Sequence, residues 1–505
     1  VSDVVISPGS RNAPLSLAFF AAAQEKLIRI HVRIDERTAA YFALGLIKST
    51  GRVVPIVCTS GTAVANYHPA VLEAHHSNLP LLVLTADRPA MLRKTGANQT
   101  TEQARIFGKA VRYFADIDGP VFPMELPLDS LRSGPVHLNL QFDEPLLPDA
   151  DTEWLTQITV NPRSHKDRKK TGTLRLVGAR GVVVIGHDRG GLTVDEISAF
   201  TKAIGWPVIA EDPLSFPDAL AHASIFLASQ EIRSTLIPQS VVVIGRTTLS
   251  RSINAFINLS PITYVVDQRI ATVDSERSAD RIFTQLPKLQ GLIHSEEWMA
   301  KWRKIADRAH KLIDSLDGWN EAVIAKTIAA EIANDTALFI SSSRPIRDFE
   351  AFATPRTGVT TYANRGLAGI DGNISSALGI AFNHKSTIAV LGDLSFLHDL
   401  TGLINQEEIN CRFIVINNDG GGIFSTLPQR GAIGFETVFG TPHGLNPAAI
   451  AQSMGINAIE INSLKELIAQ MKTPIKGISV VVCNVPNRES NADNLKSILD
   501  SLSAI

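Results

Sequence analysis

Residues 388–424 read IAVLGDLSFLHDLTGLINQEEINCRFIVINNDGGGIF. Two short apolar runs, 388–391 and 413–416, have the length and flanking turn signals of buried parallel strands. Between them Leu397, Leu400, Leu403 and Ile404 recur at helical spacing, which predicts one helix and hence a βαβ unit. Gly392-Asp393 then ends the first strand and Asn417-Asn418 the second. In a parallel sheet these ends lie on the edge where open α/β sheets bind ligands. One carboxylate, one or two amide oxygens and glycine carbonyls suit a hard cation that also holds a phosphate. A helix starting near Leu394-Ser395 would offer free N–H groups to that phosphate. Asn-Asp-Gly is also ordinary turn vocabulary, so a plain strand-end turn is the competing reading.

Outward from this stretch the chain repeats the same grammar. In the first third, apolar runs at 4–6, 30–34, 53–58, 81–85 and 136–140 alternate with helical segments. Ser7-Pro8-Gly9-Ser10-Arg11 follows the first run, a strand–glycine turn–helix junction that presents N–H groups, Ser10 and Arg11 to an anion. Glu36 lies in the first turn of the next helix, where the dipole alone favours an acid by about 0.3–1 kcal/mol. His68, His75 and His76 have no evident ligand partners and read as structural. In the middle third, runs at 181–186, 207–210, 241–245 and 263–266 give a Rossmann-like alternation. No G-x-G-x-x-G follows any of them, so a dinucleotide is not supported. Arg246, Arg251 and Arg269 follow strands there and read as solvated, with an anion site as the alternative. A helical connector over 296–317 leads to the last third. There the run 337–340 ends in Ser341-Ser342-Ser343-Arg344-Pro345-Ile346-Arg347, and an Ala/Ser/Gly-rich helix precedes residue 388. The first and last thirds share no sequence repeat.

Composition bounds the rest. The 505 residues are 45% hydrophobic and 19% charged, enough to bury several cores, and the length prior suggests about three domains. The net charge of −2 argues against a general nucleic-acid or membrane-surface binder. No apolar run is long enough for a transmembrane helix, and no signal peptide opens the chain. Cys58, Cys411 and Cys483 are far apart in apolar runs and read as buried thiols of a reducing, cytoplasmic compartment. Because Val1 already stands in a strand-like run, a further N-terminal piece, a helix, is expected ahead of it. The basic stretch 161–170 reads as a solvated linker.

Several of these pieces, in order, resemble one family of thiamine-diphosphate enzymes. They are Ser7-Pro8-Gly9-Ser10-Arg11, Ile34-Asp35-Glu36-Arg37, Thr59-Ser60-Gly61-Thr62, Thr85-Ala86-Asp87-Arg88-Pro89, Gly96-Ala97-Asn98-Gln99, Ala363-Asn364-Arg365-Gly366, Gly392-Asp393-Leu394-Ser395 and 417–424. The family is the 2-succinyl-5-enolpyruvyl-6-hydroxy-3-cyclohexene-1-carboxylate synthases of menaquinone biosynthesis. Ser-Pro-Gly-Ser-Arg and Ala-Asp-Arg-Pro separate it from the acetolactate synthase and pyruvate decarboxylase branches. The resemblance implies an α/β fold of three doubly wound Rossmann-like domains: 1–150 for the pyrimidine end of the cofactor, 151–315 central, and 316–505 for the diphosphate.

It also implies a reaction and a set of roles. Thiamine diphosphate would be held by Glu36, Gly61, Thr62, Ile370, Gly392, Asp393, Leu394, Ser395, Asn418, Gly420 and Ile423. Mg²⁺ (or Mn²⁺) would be bound by Asp393, Asn418 and the Gly420 carbonyl. The Gly-Asp to Asn-Asn interval is slightly short for the family, which leaves Asn417 and Asn418 both open as the ligand. Glu36 would hydrogen-bond the aminopyrimidine ring nitrogen, a role that overrides the cap reading, and Ile370 would prop the cofactor in its bent shape. The substrates would be 2-oxoglutarate and isochorismate, both dicarboxylates that suit arginine forks. Their contacts would be Ser10, Arg11, Arg88, Asn98, Gln99, Ser343, Arg347, Arg365 and Phe424, with Arg251 from the central domain. Ser343 and Gln99 would assist proton transfer. The cofactor would lie between two chains, in a homodimer or homotetramer. Another thiamine-diphosphate carboligase or 2-oxoacid decarboxylase, such as an acetolactate-synthase-like enzyme, is the alternative; a silent binding protein is disfavoured by the presence of both Glu36 and Asp393.

Overall fold

A computed structural model describes residues 1–119, 127–147, 154–155, 172–176, 178–269, 278–291, 295–405 and 407–503. The stretch 161–170 and the expected boundary at 150/151 lie outside them. The chain divides into two compact units. One comprises Val1–Asp167, Asn364–Thr387 and Ser395–Cys411; the other comprises Arg168–Ala363, Ile388–Leu394 and Arg412–Ile505.

The first unit is built on strands β1 (Asp3–Ile6), β2 (Arg29–Val32), β3 (Val54–Cys58), β4 (Leu81–Asp87), β5 (Tyr113–Asp118) and β6 (Val136–Gln141). They form one parallel sheet in the order β2-β1-β3-β4-β6-β5. The inner strands β1, β3 and β4 are wholly buried apolar-rich runs because both faces are covered, whereas the edge strands β2 and β5 are partly exposed. Val4, Ile6, Val57, Leu82, Leu84 and Leu138 form the core on one side. The helix Glu36–Thr50 is almost wholly buried and packs on the helix Asn373–Ala381. Glycines set that crossing. A Cβ on Gly45 would stand 2.2 Å from the Ser376 carbonyl oxygen, and one on Gly379 2.1 Å from that of Phe42.

The second unit carries two further large sheets and a two-stranded ribbon. Strands β7 (Thr173–Arg175) through β13 include β8 (Gly181–Ile185), β9 (Val208–Ala210), β10 (Ser240–Ile244), β11 (Thr263–Val266) and β12 (Arg281–Phe283). The last five form a parallel sheet in the order β12-β11-β10-β8-β9, while β13 (Lys288–Gln290) pairs separately with β7. The connector helix is Glu296–Asp314, slightly shorter than expected, and buries Trp298 and Trp302 against this sheet's core. The remaining strands are β14 (Ala337–Ile340), β15 (Thr360–Tyr362), β16 (Thr387–Gly392), β17 (Cys411–Asn417), β18 (Asn457–Ile461) and β19 (Ile478–Asn484). Their order is β15-β14-β16-β17-β19-β18.

Renumbered from its own start, that sheet has the strand order of the first one, 2-1-3-4-6-5. The chain reverses direction across the sheet between its first and third strands, and that switch point is where open α/β sheets take ligands. The opening stretch needs one correction. Its four apolar residues do not share one α-helix: Asp393–His398 is helical and Leu400–Leu403 is a 3₁₀ turn. The buried Asp399 carboxylate accepts from the Ser375 N–H at 2.8 Å and from its hydroxyl at 2.9 Å, tying down the break. All three cysteines are buried free thiols. No helix among the described residues is long and apolar enough to cross a membrane.

Candidate active site

At the carboxyl end of β16, Asp393 is buried, and burial raises its pKa. Its Oδ1 accepts from the Leu394 N–H at 2.7 Å and its Oδ2 from the Gly420 N–H at 2.9 Å. One of the expected free N–H groups, that of Leu394, is therefore taken by Asp393 itself. At the end of β17, Asn418 is 7% exposed and its Nδ2 donates to Glu321 Oε1 at 2.6 Å. Its Oδ1 is buried with no donor facing it. Asn417 turns away, its Nδ2 donating to Asn484 Oδ1 at 2.8 Å. A buried amide oxygen without a donor costs free energy unless a cation takes it. Of the two asparagines left open, Asn418 carries that vacant lone pair. Among the described residues no three His, Cys, Asp or Glu side chains cluster as metal ligands. A cation here would rely on one carboxylate with amide and carbonyl oxygens, a donor set for Mg²⁺ rather than zinc.

The glycines of 420–422 make this cradle possible. Gly420 has φ 131°, and a Cβ on it would stand 2.1 Å from the Gly440 carbonyl oxygen. A Cβ on Gly422 would meet Asn418 Nδ2 at 2.3 Å, whereas Gly392 faces open space. His443, which sequence reasoning passed over, braces Asp393 from outside. Its Nδ1 accepts from the Leu445 N–H at 2.9 Å, so in the neutral ring the proton sits on Nε2 and is donated to Asp393 Oδ2 at 3.2 Å.

In the same unit Ser343 follows β14 with φ 73° and ψ −124°, a conformation otherwise left to glycine. Arg347 donates to the Ser343 carbonyl at 2.6 Å. A cavity of about 320 Å³ is lined by Arg251, Arg344, Arg347, Ile423 and Leu427 among others. The structure thus brings together Arg251, Arg347 and Ile423, which lie far apart in sequence. Phe424 instead turns its ring to Phe439, centroids 5.6 Å apart. Of the three arginines expected to be solvated, Arg251 is exposed and Arg246 30% exposed at its side chain, but Arg269 is not. Arg269 is buried and paired with Asp188 and Asp267, and Arg246 lies 3.5 Å from Asp188, because the sheet edge there is acidic.

The first unit groups the other expected residues on the carboxyl edge of its sheet. Asp35 caps the helix Glu36–Thr50 through the N–H groups of Arg37 and Thr38, which frees Glu36 from that duty. Glu36 is half-buried, and its Oε2 accepts from Asn66 Nδ2 at 3.0 Å. Gly61, at φ 85°, begins the helix Thr62–Asn66 with its N–H on Gln103 Oε1 at 3.2 Å. Thr62 and Ser10 are exposed. Arg88 donates to Ser60 Oγ at 2.6 Å and to the Gln99 carbonyl at 2.8 Å. Arg11 donates to the Phe142 carbonyl at 3.0 Å and lies 3.4 Å from Glu144. Burial and the nearby Arg11 charge both lower the Arg88 pKa, while the Asp87 and Glu144 carboxylates oppose that shift. Asn98 and Gln99 are exposed, Gln99 at φ 52°.

Also in that unit, the buried Glu73 carboxylate accepts from the Gly366 and Leu367 N–H groups at 2.8 Å each, holding the loop that carries Arg365. Asn373 Nδ2 donates to the Ile370 carbonyl at 2.9 Å and to Ser395 Oγ at 2.8 Å, fixing the turn of Ile370. His75 is taken up by the Ala110 carbonyl at 3.0 Å, and His68 packs edge-on to Phe107. Glu321, His443, Glu73 and Asn373 carry no sequence signal of their own; only their distant partners give them meaning.

Comparison with known proteins agrees with this geometry. Residues 1–106 match the thiamine pyrophosphate enzyme N-terminal TPP binding domain, 149–340 the middle domain of thiamine pyrophosphate enzymes, and 346–485 the C-terminal TPP binding domain. The chain is 38% identical over 494 residues to 2-succinyl-5-enolpyruvyl-6-hydroxy-3-cyclohexene-1-carboxylate synthase of Thermobifida fusca, covering 90% of this chain and 88% of that one. It is 33% identical over 543 residues to the synthase of the same name from Staphylococcus haemolyticus, covering 100% and 95%. The crystal structure of benzoylformate decarboxylase from Polynucleobacter necessarius superposes with a TM-score of 0.66 over 96% of both chains at 16% identity, a likeness of fold. The chain belongs to the 2-succinyl-5-enolpyruvyl-6-hydroxy-3-cyclohexene-1-carboxylate synthase family of thiamine pyrophosphate enzymes.

Proposed function

We infer that the protein decarboxylates 2-oxoglutarate and adds the remaining succinyl unit to the ring alkene of isochorismate, releasing CO₂ and 2-succinyl-5-enolpyruvyl-6-hydroxy-3-cyclohexene-1-carboxylate. The observation that carries this reading is the buried, donor-free Oδ1 of Asn418 in a cradle with Asp393 and Gly420. With family membership it points to Mg²⁺ bound by Asp393, Asn418 Oδ1 and the Gly420 carbonyl, holding the diphosphate of thiamine diphosphate. Once bound, the cofactor supplies the carbon nucleophile and the electron sink for decarboxylation.

The chain's own residues position and select. Glu36 would take the pyrimidine end, where its carboxylate can accept from a ring N–H, and Ile370 would support the cofactor from a turn locked by Asn373. Arg11 and Arg88, with Ser10, Asn98 and Gln99, form one carboxylate station. Arg347, Arg251 and Ser343 form the other, with Ile423 as an apolar wall. Arginine forks fix orientation as well as charge, which two dicarboxylate substrates need. The pyrimidine and diphosphate stations come from different chains of a homodimer or larger homo-oligomer. Domains of 1–150, 151–315 and 316–505 and a cytoplasmic setting complete the reading.

Glu36→Gln tests it. Cofactor should still bind, and turnover should fall on the order of 10²–10⁴-fold, the usual loss when a proton-transfer group is removed. Wild-type turnover in that variant would sink the assignment.

A further inference from the structure

The cradle depends on which way one amide points. Asn418 can present either Oδ1 or Nδ2 to a cation, and only the oxygen is a ligand. Its Nδ2 lies 2.6 Å from Glu321 Oε1, so the reverse orientation would press two acceptor oxygens together. Glu321 is itself held fast. It opens the helix Glu321–Glu331, its N–H donates to Asn491 Oδ1 at 3.2 Å, and its Oε2 accepts from Arg344 Nε at 3.2 Å. Arg344 also pairs with Asp348, and both residues line the arginine cavity. No part of the cofactor motif includes Glu321, which precedes Asn418 by 97 residues.

We propose that Glu321 is a positioning residue for the metal: it locks the Asn418 amide with Oδ1 toward the cation, and through Arg344 it joins the metal cradle to the wall of the arginine cavity. This rests on the cofactor reading above. Glu321 is no ligand itself and acts on the metal only through Asn418. Outer partners of this kind change metal affinity by about 10–100-fold when removed.

The test is Mn²⁺ titration of the full-length protein with thiamine diphosphate present, free Mn²⁺ being read by its paramagnetic resonance signal. Glu321→Gln, whose amide can pair with either end of Asn418, should weaken Mn²⁺ binding about tenfold or more. Glu321→Asp keeps the charge facing Arg344 but withdraws the acceptor from Asn418; it should weaken Mn²⁺ similarly and decides the matter if the Gln variant fails to fold. The double variant Glu321→Gln/Asn418→Asp exchanges donor and acceptor, so it should bind Mn²⁺ more tightly than Asn418→Asp alone. Wild-type affinity within twofold in whichever single Glu321 variant folds, or no recovery in the double variant, overturns the proposal. Asp393→Ala separates the two readings. If it too leaves Mn²⁺ binding unchanged, the metal site is misplaced; if it abolishes binding while the Glu321 variants do not, only the role of Glu321 fails.

Discussion

Gly422→Ala is the sharpest steric probe of the cradle. Gly422 has no positive φ, so alanine meets no backbone penalty. Its new methyl would stand 2.3 Å from Asn418 Nδ2 and 3.1 Å from Cγ. The amide must retreat by about 1 Å to reach ordinary van der Waals distance. The 2.6 Å bond to Glu321 has no slack for a move toward that carboxylate, and any other move stretches it. Either way a buried charge-assisted bond is lost, worth about 1.5–3 kcal/mol, and Oδ1 leaves its position. That energy corresponds to roughly a 10- to 150-fold weaker hold on Mg²⁺ at 25 °C. Calorimetric titration of thiamine diphosphate at limiting Mg²⁺ reads the effect, with melting of the metal-free protein as a control for folding. A folded alanine variant with wild-type Mg²⁺ dependence would refute the placement of the cation on Asn418.

Two further expectations follow from other parts of the molecule. Arg347→Met should raise KM for a carboxylate substrate about tenfold to a hundredfold, the value of one charge-assisted contact, with Arg347→Lys only partly restoring it; steady-state kinetics decide, and an unchanged KM removes Arg347 from the substrate site. In the first unit His31 is buried between Asp3 at 3.0 Å and Glu407 at 2.9 Å. Burial opposes its charge, but the two carboxylates outweigh it and raise its pKa, while Asp3 and Glu407 are shifted down despite burial. The raised histidine stabilises fully below its unfolded pKa of about 6.5 and loses that contribution as pH rises through the folded value; the lowered acids stabilise above about 4 and lose it as pH falls. His31→Gln should therefore cost about 1–3 kcal/mol near pH 6 and progressively less as pH rises through the raised folded pKa, read by denaturant unfolding; a cost independent of pH would show that His31 is neutral.

The opening stretch was legible because its signals are local. Strand ends, an acid and an Asn-Asn-Gly turn all fall within one βαβ unit, and the structure places Asp393 and Asn418 on adjoining strand ends. What stayed hidden was non-local. Asp35, not Glu36, caps its helix, since one residue's offset decides which carboxylate reaches the N–H groups. The 3₁₀ break after His398 follows from Asp399 bonding to Ser375, a partner in another helix. Glu321, His443 and Glu73 are single acids or rings in ordinary helical or loop sequence, and their roles exist only once distant backbone arrives. The shared strand order of the first and third sheets left no sequence repeat, because topology constrains which strands neighbour and not which apolar residues fill them.

The most direct measurement is product analysis with thiamine diphosphate, Mg²⁺ and 2-oxoglutarate, run with and without isochorismate. Expected is CO₂ release matched mole for mole by a new cyclohexene tricarboxylate when both substrates are present, and no such adduct when pyruvate replaces 2-oxoglutarate. Decarboxylation of 2-oxoglutarate or pyruvate that proceeds equally well without isochorismate, with no adduct formed in its presence, would make the protein a different 2-oxoacid enzyme.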